Sequence, residues 1–409
     1  MVAALTRVFG VHNLALAEDV VQDAFCRALE VWKFRGPPEN PSAWLMATAK
    51  NRALDLLRRE RTARTREPEL RALLESEWTL RPAVEEIFAM HAIKDDQLRM
   101  MFSCCEPELP ETAQVALVLH LLCGFSVGEI ASAFLSSDAA MEKRLWRAKK
   151  ALADSTSLFE FSGDEDVLAR LASVQRALYL LFNEGYHGAG ESVVRVELCR
   201  EAMRLAALLC EHSRAATPAS YALSALMHLH AARLPARVAP DGHLSSLLAQ
   251  DRSLWDRELV DQGLRLLDLS ATGSELTEYH VEAGIAAIHA SARTAEETNW
   301  AEIVALYDTL LTIRPSPVVA LNRAIAVAQA EGSERGLTEI RAIAGVDRLA
   351  DYPFYFAALG ELELRLARHD IAREQFRAAA ALARNAMERE FFEQRASACD
   401  RSPAALLEL

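Results

Sequence analysis

The chain has 409 residues and a formal net charge of −13, and 51% of its residues are hydrophobic. This length predicts two or three domains, and the hydrophobic content excludes a disordered chain. Glycine (16) and proline (14) are scarce among abundant Ala, Leu, Arg and Glu, which favours an all-α protein. No apolar run approaches the roughly 18 residues that a membrane span needs. The seven cysteines form no CxxC pair, which argues against a disulfide framework and fits a reducing cytoplasm.

Charge is distributed unevenly along the chain. Two basic clusters comprise Lys50, Arg52, Arg58, Arg59, Arg61, Arg64 and Arg66, and then Lys143, Arg144, Arg147, Lys149 and Lys150. Residues 67–110 between them are mostly acidic. Because a phosphate backbone responds to the local field, two basic patches on an acidic chain indicate selective contact with a polyanion.

The first predicted helix covers residues 14–33, and it combines apolar positions with an acidic N-terminal face. The apolar contacts are assigned to Val20, Ala24, Phe25, Leu29, Val31 and Trp32. The acidic face holds Glu18, Asp19, Gln22 and Asp23. Acidic side chains in a first turn suit the helix dipole, so simple capping is one interpretation of this face.

A loop and a second amphipathic helix follow. Gly36 and three prolines predict the loop over residues 34–41, and Ser42 is a plausible N-cap for the next helix. The core side of that helix is predicted to hold Leu45, Ala49, Ala53 and Leu56. Its polar side holds Thr48, Asn51, Arg52, Asp55 and Arg59.

The segment from residue 111 predicts a helix-turn-helix. A helix runs to Cys123 and breaks at Gly124, after which Ser126 and Glu129 form a capping box ahead of a short helix. The turn "LSSD" leads into a basic helix over about 139–152. A helical hairpin without DNA binding is the alternative for this segment alone. Upstream, the adjacent Cys104 and Cys105 lack a histidine at ligand spacing, so we expect small core residues and no metal site.

After residue 165 the sequence predicts helices to the end of the chain. "WAEIVALYDTLLTIRPSPVVALNRAIAVAQA" matches the pattern of a tetratricopeptide helix pair, with Pro315 and Pro317 at the junction. An irregular helical bundle is the alternative. In "FNEGYH", Asn183 and Gly185 are predicted to end a helix. A ligand or interdomain contact by Glu184 and Tyr186 is the competing interpretation.

In this order, the segments resemble a sigma factor, the promoter-recognition subunit of bacterial RNA polymerase, of the extracytoplasmic-function group of the sigma-70 family. "AEDVVQDAFCRALEVW" and "NPSAWLMATAKNRALDLLRRERT" resemble region 2. "ETAQVALVLHLLCGFSVGEIASAFLSSDAAMEKRLWRAKKAL" resembles region 4. "LYLLFNEGYH", "AQDRSLWDRELV" and "SPVVALNRAIAVA" are similar to the subgroup with a long C-terminal tetratricopeptide-type extension.

The resemblance covers nearly the whole chain and implies an all-α fold in four segments. These are a region 2 helical bundle at 1–66, an acidic linker at 67–110, a region 4 helix-turn-helix at 111–155 and a tetratricopeptide-like regulatory domain at 165–409. The N-terminus begins close to the first helix of 14–33, so the opening helix of region 2 looks shortened or missing. Either the true start lies upstream or region 2 has a weaker core.

The resemblance also implies which residues meet each partner. The residues that dock on the clamp helices of the polymerase β′ subunit are Asp19, Gln22 and Asp23. Those that read the promoter −10 element are Trp44, Lys50, Asn51, Arg52, Asp55, Arg58 and Arg59, although Trp44 has a competing role in packing. Those that read the −35 element are Ser137, Lys143, Arg144, Arg147 and Lys150. The loop "FRGPPEN" lies where the family captures a flipped base.

The implied partners are the polymerase core, through the β′ clamp helices and the β flap, and promoter DNA. A regulatory protein or ligand is expected on the C-terminal domain, in place of a separate anti-sigma partner. The resemblance implies no cofactor, no metal, no membrane contact and a cytoplasmic location.

Three other functions compete with this one. A stand-alone regulator with a helical sensor domain explains the helix-turn-helix but leaves residues 18–61 without a purpose. A tetratricopeptide adaptor makes both basic patches ordinary solvated faces. An enzyme is disfavoured because the sequence contains no Gly-rich phosphate loop, HExxH or GxSxG, and His187 has no evident catalytic partners.

Overall fold

The structure is a computed structural model, and it describes residues 1, 2, 5, 14–38, 40–61, 95–134, 136–154, 164–188, 194–238 and 243–400. Its elements in these residues are α-helices and short 3-10 helices, with one isolated bridge between Val238 and Leu244. The predicted all-α fold is confirmed. The chain divides into two compact units, Met1–Ala177 with His212–Ala215, and Leu178–Glu211 with Ala216–Leu409. In the described part of the chain, no helix combines the length and apolar character needed to cross a membrane.

The first unit opens with helices α1 (Leu14–Arg35) and α2 (Pro41–Arg61), which pack against each other. Their contact is built mainly from small side chains, which allow the two backbones to lie close together. The buried set includes Ala17, Val20, Ala24, Ala28, Leu45, Ala49 and Ala53. Helix α2 begins at Pro41, one residue before the predicted cap Ser42, because proline with its fixed φ suits a first helical position.

Phe25 and Leu29 are not core residues of α1, contrary to the sequence prediction. Their side chains are 49% and 75% exposed. The buried stripe runs through Ala17, Val20, Ala24 and Ala28 at helical spacing, and Phe25 and Leu29 lie one position beyond it. The exposed surface of α1 therefore carries both acidic and apolar side chains.

The next four helices of the first unit are α3 (Asp96–Cys104), α4 (Glu111–Leu121), α5 (Val127–Ala133) and α6 (Asp138–Asp154). Helix α3 lies in the segment for which the sequence predicts a linker, and it packs against α4. Asp95 caps it, because its carboxylate accepts a hydrogen bond from the Leu98 backbone N–H at 2.9 Å. Cys104 and Cys105 are fully buried, as predicted, and burial raises the pKa of the Cys104 thiol to about 12.

The predicted helix-turn-helix is present in α5 and α6. Gly124 adopts a positive φ of 73°, a conformation that glycine accepts without strain, and separates α4 from α5. The capping box is confirmed, since Ser126 and Glu129 bond each other's backbone N–H groups. Helix α6 buries Met141, Leu145, Ala148 and Leu152 and leaves its basic face outward.

Helix α7 (Asp164–His187) crosses the division between the units after Ala177. The prediction that Asn183 and Gly185 end this helix is wrong, because the helix continues to His187. Gly185 instead allows the backbone at Arg195 and Cys199 to lie close to α7. A Cβ at Gly185 would lie 2.7 Å from the Cys199 backbone nitrogen and 2.9 Å from the Arg195 carbonyl oxygen, and the Gly185 carbonyl accepts a hydrogen bond from the Arg195 N–H at 2.7 Å.

Gly185→Ala tests that contact. We expect a loss of about 1–3 kcal/mol in the free energy of unfolding, because two backbone atoms must move to admit the methyl group. Chemical denaturation followed by circular dichroism measures the change. The control is Gly284→Ala, whose Cβ would meet only the Leu306 side chain, at 3.4 Å. Equal stability of Gly185→Ala and the native chain would contradict the close approach.

The second unit continues as ten helices among the described residues. They are α8 (Val196–Glu211), α9 (Pro218–Ala231), α10 (Arg257–Ser270), α11 (Glu278–Ser291), α12 (Trp300–Ile313), α13 (Pro317–Glu331), α14 (Ser333–Arg341), α15 (Pro353–Arg365), α16 (His369–Ala381) and α17 (Ala386–Ala398). Consecutive helices pack as pairs, notably α9 with α10, α12 with α13, and α15 with α16. The junction that the sequence predicts at Pro315 and Pro317 separates α12 from α13.

Two histidines in this unit are enclosed and neutral. Burial, with a contribution from nearby arginines, lowers the pKa of His230 and of His289 to about 3 in each case. Between pH 6.5 and pH 3 the unfolded chain binds a proton at each histidine that the folded chain does not bind. Stability from these two groups is therefore fully present above pH 6.5 and is lost as the pH falls below that value.

The pH dependence of unfolding measures this effect. We expect the free energy of unfolding to fall by about 1.4 kcal/mol per pH unit for each histidine below pH 6.5. His289→Gln should make the slope between pH 6.5 and pH 5 shallower by about that amount, whatever it does to stability at pH 8. His212→Gln is the control, since His212 is half-buried just after α8 and its Nδ1 accepts from the Arg214 and Ala215 backbone N–H groups, which a glutamine side-chain oxygen can also do. An unchanged slope for His289→Gln would contradict the neutral, buried state.

Candidate nucleic-acid interface

The exposed face of α1 brings the predicted docking residues together. Asp19, Gln22 and Asp23 are all exposed. Phe25 and Leu29 continue the same side of the helix, because residues 22, 25 and 29 follow helical spacing. This face can therefore offer acidic, amide and apolar groups to one partner, a composition suited to a protein interface.

The polar face of α2 presents some of the predicted −10 residues. Asn51 and Arg52 are exposed, and Lys50 is half-buried. The side chains of Asp55, Arg58 and Arg59 lie outside what the structure describes. An exposed amide next to an arginine is a combination that can read a base edge and contact a phosphate.

Trp44 occupies the edge of the core of the first two helices. Its ring centroid lies 5.5 Å from that of Trp32, and the side chain is half-buried against the cluster of small residues. The Trp44 carbonyl accepts a hydrogen bond from Thr48 Oγ1 at 2.8 Å. The packing role weighed from the sequence is thus present, while part of the ring stays accessible.

Arg52 and Asp23 form an ion pair that joins two of the predicted surfaces. Arg52 Nε donates to Asp23 Oδ2 at 2.9 Å, and the two side chains are 43% and 54% exposed. An ion pair with that exposure contributes little stability, about 0–1 kcal/mol. A substitution at either residue nonetheless changes the environment of the other.

The loop between α1 and α2 places an aromatic ring in solvent. Phe34, at the end of α1, is 84% exposed, and the Lys33 ammonium lies 5.9 Å from its ring centroid. Gly36 turns the chain with a φ of 71°. An exposed ring beside a cation is a surface on which an unpaired base can stack.

The outer face of α6 gathers the predicted −35 residues. Lys143, Arg147 and Lys150 are exposed at helical spacing, and Ser137 is exposed just before the helix. Arg144 is half-buried and contacts the Met141 sulfur at 3.9 Å, which places it at the edge of this face. A basic helix face after a short helix and turn has the shape and charge to enter a major groove.

Trp146 also lies on this face, although the sequence-based prediction assigned it no role. Its side chain is 64% exposed, and the Lys150 ammonium lies 5.7 Å from its ring. Its position on this face could have been predicted from the sequence, because Trp146 follows Lys143 by three residues and such pairs lie on the same side of a helix. An apolar surface on a basic helix can contact a thymine methyl group or a protein partner.

An ion pair that the sequence does not predict joins α6 to α1, the helix of the predicted docking face. Lys149 Nζ lies 2.9 Å from one carboxylate oxygen of Glu18 and 3.0 Å from the other. Both side chains are half-buried. The pair brings α6 against α1, next to Asp19 of the acidic face.

Comparison with known proteins matches three segments of the chain. Residues 1–63 match sigma-70 region 2, residues 99–152 match sigma-70 region 4, and residues 170–271 match a family of unknown function. Helices α1 and α2 fall in the first match, and α4 to α6 fall in the second. The second match begins at residue 99 and so includes most of α3. No solved structure matches the chain.

A relative shares nearly the full length. An uncharacterized protein of Rhizobium meliloti (strain 1021) is 39% identical over 408 residues, which is 99% of this chain and 94% of that protein. The extension is therefore present in both proteins together with the two sigma regions. With regions 2 and 4 matched in order, the chain belongs to the sigma-70 family of transcription initiation factors, with a C-terminal extension beyond region 4.

Proposed function

We propose that this chain binds core RNA polymerase, directs it to promoters through the −10 and −35 elements, and is regulated through its C-terminal extension. One observation carries the proposal. The segment that matches region 2 exposes an acidic and apolar face on α1 and the side chains of Asn51 and Arg52 on α2, and the segment that matches region 4 exposes a basic face on α6. Opposite charges on separate helices suit simultaneous contact with a protein and with DNA.

The proposed polymerase contact is the α1 face of Asp19, Gln22 and Asp23, extended by Phe25 and Leu29. Its partner is the clamp-helix pair of the β′ subunit. Desolvating the two apolar side chains would supply affinity, while the acidic groups would set orientation and association rate. Region 4 is proposed to contact the β flap.

The proposed −10 contact is the polar face of α2. Asn51 would read a base edge, and Lys50 and Arg52 would neutralise phosphates. Asp55, Arg58 and Arg59 extend the proposal along the same helix, and Trp44 would contribute the accessible part of its ring. Phe34 at the neighbouring loop supports capture of an extruded base, because stacking offsets part of the cost of unpairing it.

The Glu18–Lys149 pair limits how far apart the two proposed DNA-reading helices, α2 and α6, can lie. The −10 and −35 elements are centred about 25 base pairs apart, which is roughly 85 Å along a duplex with 3.4 Å per pair. Helices α1 and α2 are each only about 33 Å long, so readers held at that ion pair cannot reach both elements. We propose that the pair separates when the chain binds polymerase and promoter.

The proposed extension is a tetratricopeptide-like domain over residues 165–409. The paired helices α12 with α13 and α15 with α16 support it, because repeats of this kind bury their apolar faces by stacking neighbouring pairs. Such a domain offers an extended surface for a regulator. A cytoplasmic location follows from the proposed work with polymerase.

The −35 contact is tested by Lys143→Ala with Arg147→Ala in one chain. We expect the slope of log affinity against log salt for holoenzyme on a promoter to become shallower by about 2, since each lost cation removes about one phosphate contact. Filter binding at several salt concentrations measures the slope. The double variant should still bind core polymerase.

Arg200→Ala is the matched control, because Arg200 is an exposed arginine on α8. It should leave the salt slope unchanged. An equal loss of slope in the control, or no loss in the double variant, would remove α6 from the proposed DNA contact.

A further inference from the structure

Two arginines of the second unit, the buried Arg233 and the half-buried Arg237, have no carboxylate partner among the described residues. Arg233 is 7% exposed, and its Nε donates only a long hydrogen bond, at 3.4 Å, to Gln250 Oε1. Arg237 Nη2 lies 2.8 Å from His187 Nδ1, and its Nε is buried without a partner. Both follow α9 within one turn of each other. Burial lowers the pKa of the Arg233 guanidinium, which reports the cost of holding that charge away from water.

A single tyrosine ring lies beneath both cations. The Arg237 guanidinium carbon lies 4.3 Å from the centroid of Tyr186, and that of Arg233 lies 5.9 Å from it. His230 contacts the same ring, with centroids 5.2 Å apart. The Tyr186 hydroxyl and His230 Nδ1 are both buried and have no hydrogen-bond partner among the residues that the structure describes. The ring therefore gathers two cations and two unsatisfied polar atoms in one place.

Two other arginines of the second unit are paired with carboxylates. Arg195 pairs with Glu184, and Arg384 pairs with the fully buried Glu388. Within the part of the chain that the structure describes, carboxylates thus pair with those two arginines, whereas Arg233 and Arg237 lie against an aromatic ring. Stacking on a ring attracts a cation but does not cancel its charge.

Histidines near the two cations add hydrogen-bonding capacity without further positive charge. Burial, followed by the influence of Arg237 and Arg384, lowers the pKa of His187 well below its ordinary value. Glu388 also faces His187, at 3.7 Å from its Nε2. Because His187 Nδ1 accepts from Arg237, its one N–H is on Nε2 and faces Glu388. His187 therefore holds Arg237 in place, and His230 Nδ1 is the imidazole nitrogen left to hydrogen-bond a bound group.

We propose that Arg233 and Arg237, with Tyr186 and His230, bind the oxyanion group of a small molecule, a phosphate or a carboxylate. The guanidinium groups would supply charge and paired N–H donors, and the phenol and imidazole would complete the hydrogen bonds. A bound oxyanion would neutralise the charges of Arg233 and Arg237. The consequence for transcription rests on the proposed regulation through the extension, whereas the binding itself does not.

Thermal unfolding of the full chain tests the site. Sodium phosphate and sodium succinate are compared with sodium chloride at equal ionic strength and pH 7.5. At least one oxyanion should raise the Tm of the native chain by about 2–5 °C, in a saturable manner. A response to phosphate alone or to succinate alone identifies the group that the site prefers.

Two variants locate the response. Arg237→Gln should lose most of the rise, because it removes one of the two cations that lie against the Tyr186 ring. Tyr186→Phe keeps the ring and removes only the hydroxyl, and calorimetric titration should show several-fold weaker oxyanion binding to it. Arg335→Gln is the control, since Arg335 is exposed and pairs with Glu331 and Glu339 on the chain surface.

The proposal is overturned if the native chain responds to neither oxyanion, or if Arg237→Gln and Tyr186→Phe respond as the native chain does. The arginines would then be packing groups for the aromatic rings. These assays contain no polymerase and no DNA, so failure of the oxyanion site and failure of the proposed sigma function are separate results.

Discussion

Asp19→Arg is expected to lower the affinity of the chain for core RNA polymerase by at least about 100-fold. Asp19 is exposed on α1 and forms part of the acidic face proposed to meet the clamp helices. A reversed charge at such an interface juxtaposes like charges, which costs several kcal/mol. Fluorescence anisotropy of labelled chain titrated with core polymerase measures the affinity.

Asp261→Arg makes the same charge change at an exposed position on α10 and is the control. It should bind core polymerase as the native chain does. Circular dichroism of both variants should match the native spectrum, because neither side chain is buried. Native affinity in Asp19→Arg would show that the acidic face of α1 is only a solvated helix surface.

Asn51→Ala is expected to slow open-complex formation by about 5- to 150-fold while leaving core binding intact. The amide is exposed on α2, and loss of one good contact to a base edge corresponds to about 1–3 kcal/mol. Permanganate reactivity of promoter thymines, followed over time, measures opening. Loss of core binding in this variant would contradict the proposed separation between the faces of α1 and α2.

Arg52→Ala is a less clean test of the same contact. Arg52 donates to Asp23 at 2.9 Å, so its removal also frees a carboxylate of the proposed docking face. We expect Arg52→Ala to alter opening strongly and core binding slightly. Asp19 and Asn51 form no such bridge to each other, which makes them the better pair.

The sequence predicted those parts of the fold that depend on interactions between residues close in sequence. Gly124 breaks a helix because of its own backbone freedom, and the Ser126–Glu129 capping box acts within one turn. The helix-turn-helix and the junction before Pro317 follow from such signals. Each involves neighbouring residues, so the chemistry is visible in the printed order.

The parts that the sequence missed depend on distant neighbours. Lys149 and Glu18 are 131 residues apart, and nothing near either residue predicts their contact. Gly185 looked like the end of a helix, because the approach of Cys199 and Arg195 is visible only once α7 and α8 are packed. Phe25 and Leu29 were assigned to the core by hydrophobicity, although the buried stripe of α1 passes beside them.

At the candidate ligand site, the surroundings of the two arginines also could not be predicted from the sequence. Arg233 and Arg237 follow α9 in a stretch that reads as an ordinary basic turn. Both guanidinium groups lie over the ring of Tyr186, and that of Arg233 also lies over Trp255. These rings come from other parts of the chain. Sequence reasoning marked Tyr186 and Glu184 for a ligand contact, yet it assigned no partner to either residue.

Run-off transcription with purified core polymerase tests the central proposal most directly. The native chain is compared with Asp19→Arg and Asn51→Ala, with core binding measured on the same preparations. The account predicts promoter-specific transcripts that require the native chain and fall in both variants, with core binding lost only in Asp19→Arg. Failure of the native chain to bind core polymerase, or transcripts unaffected by either substitution, would contradict it.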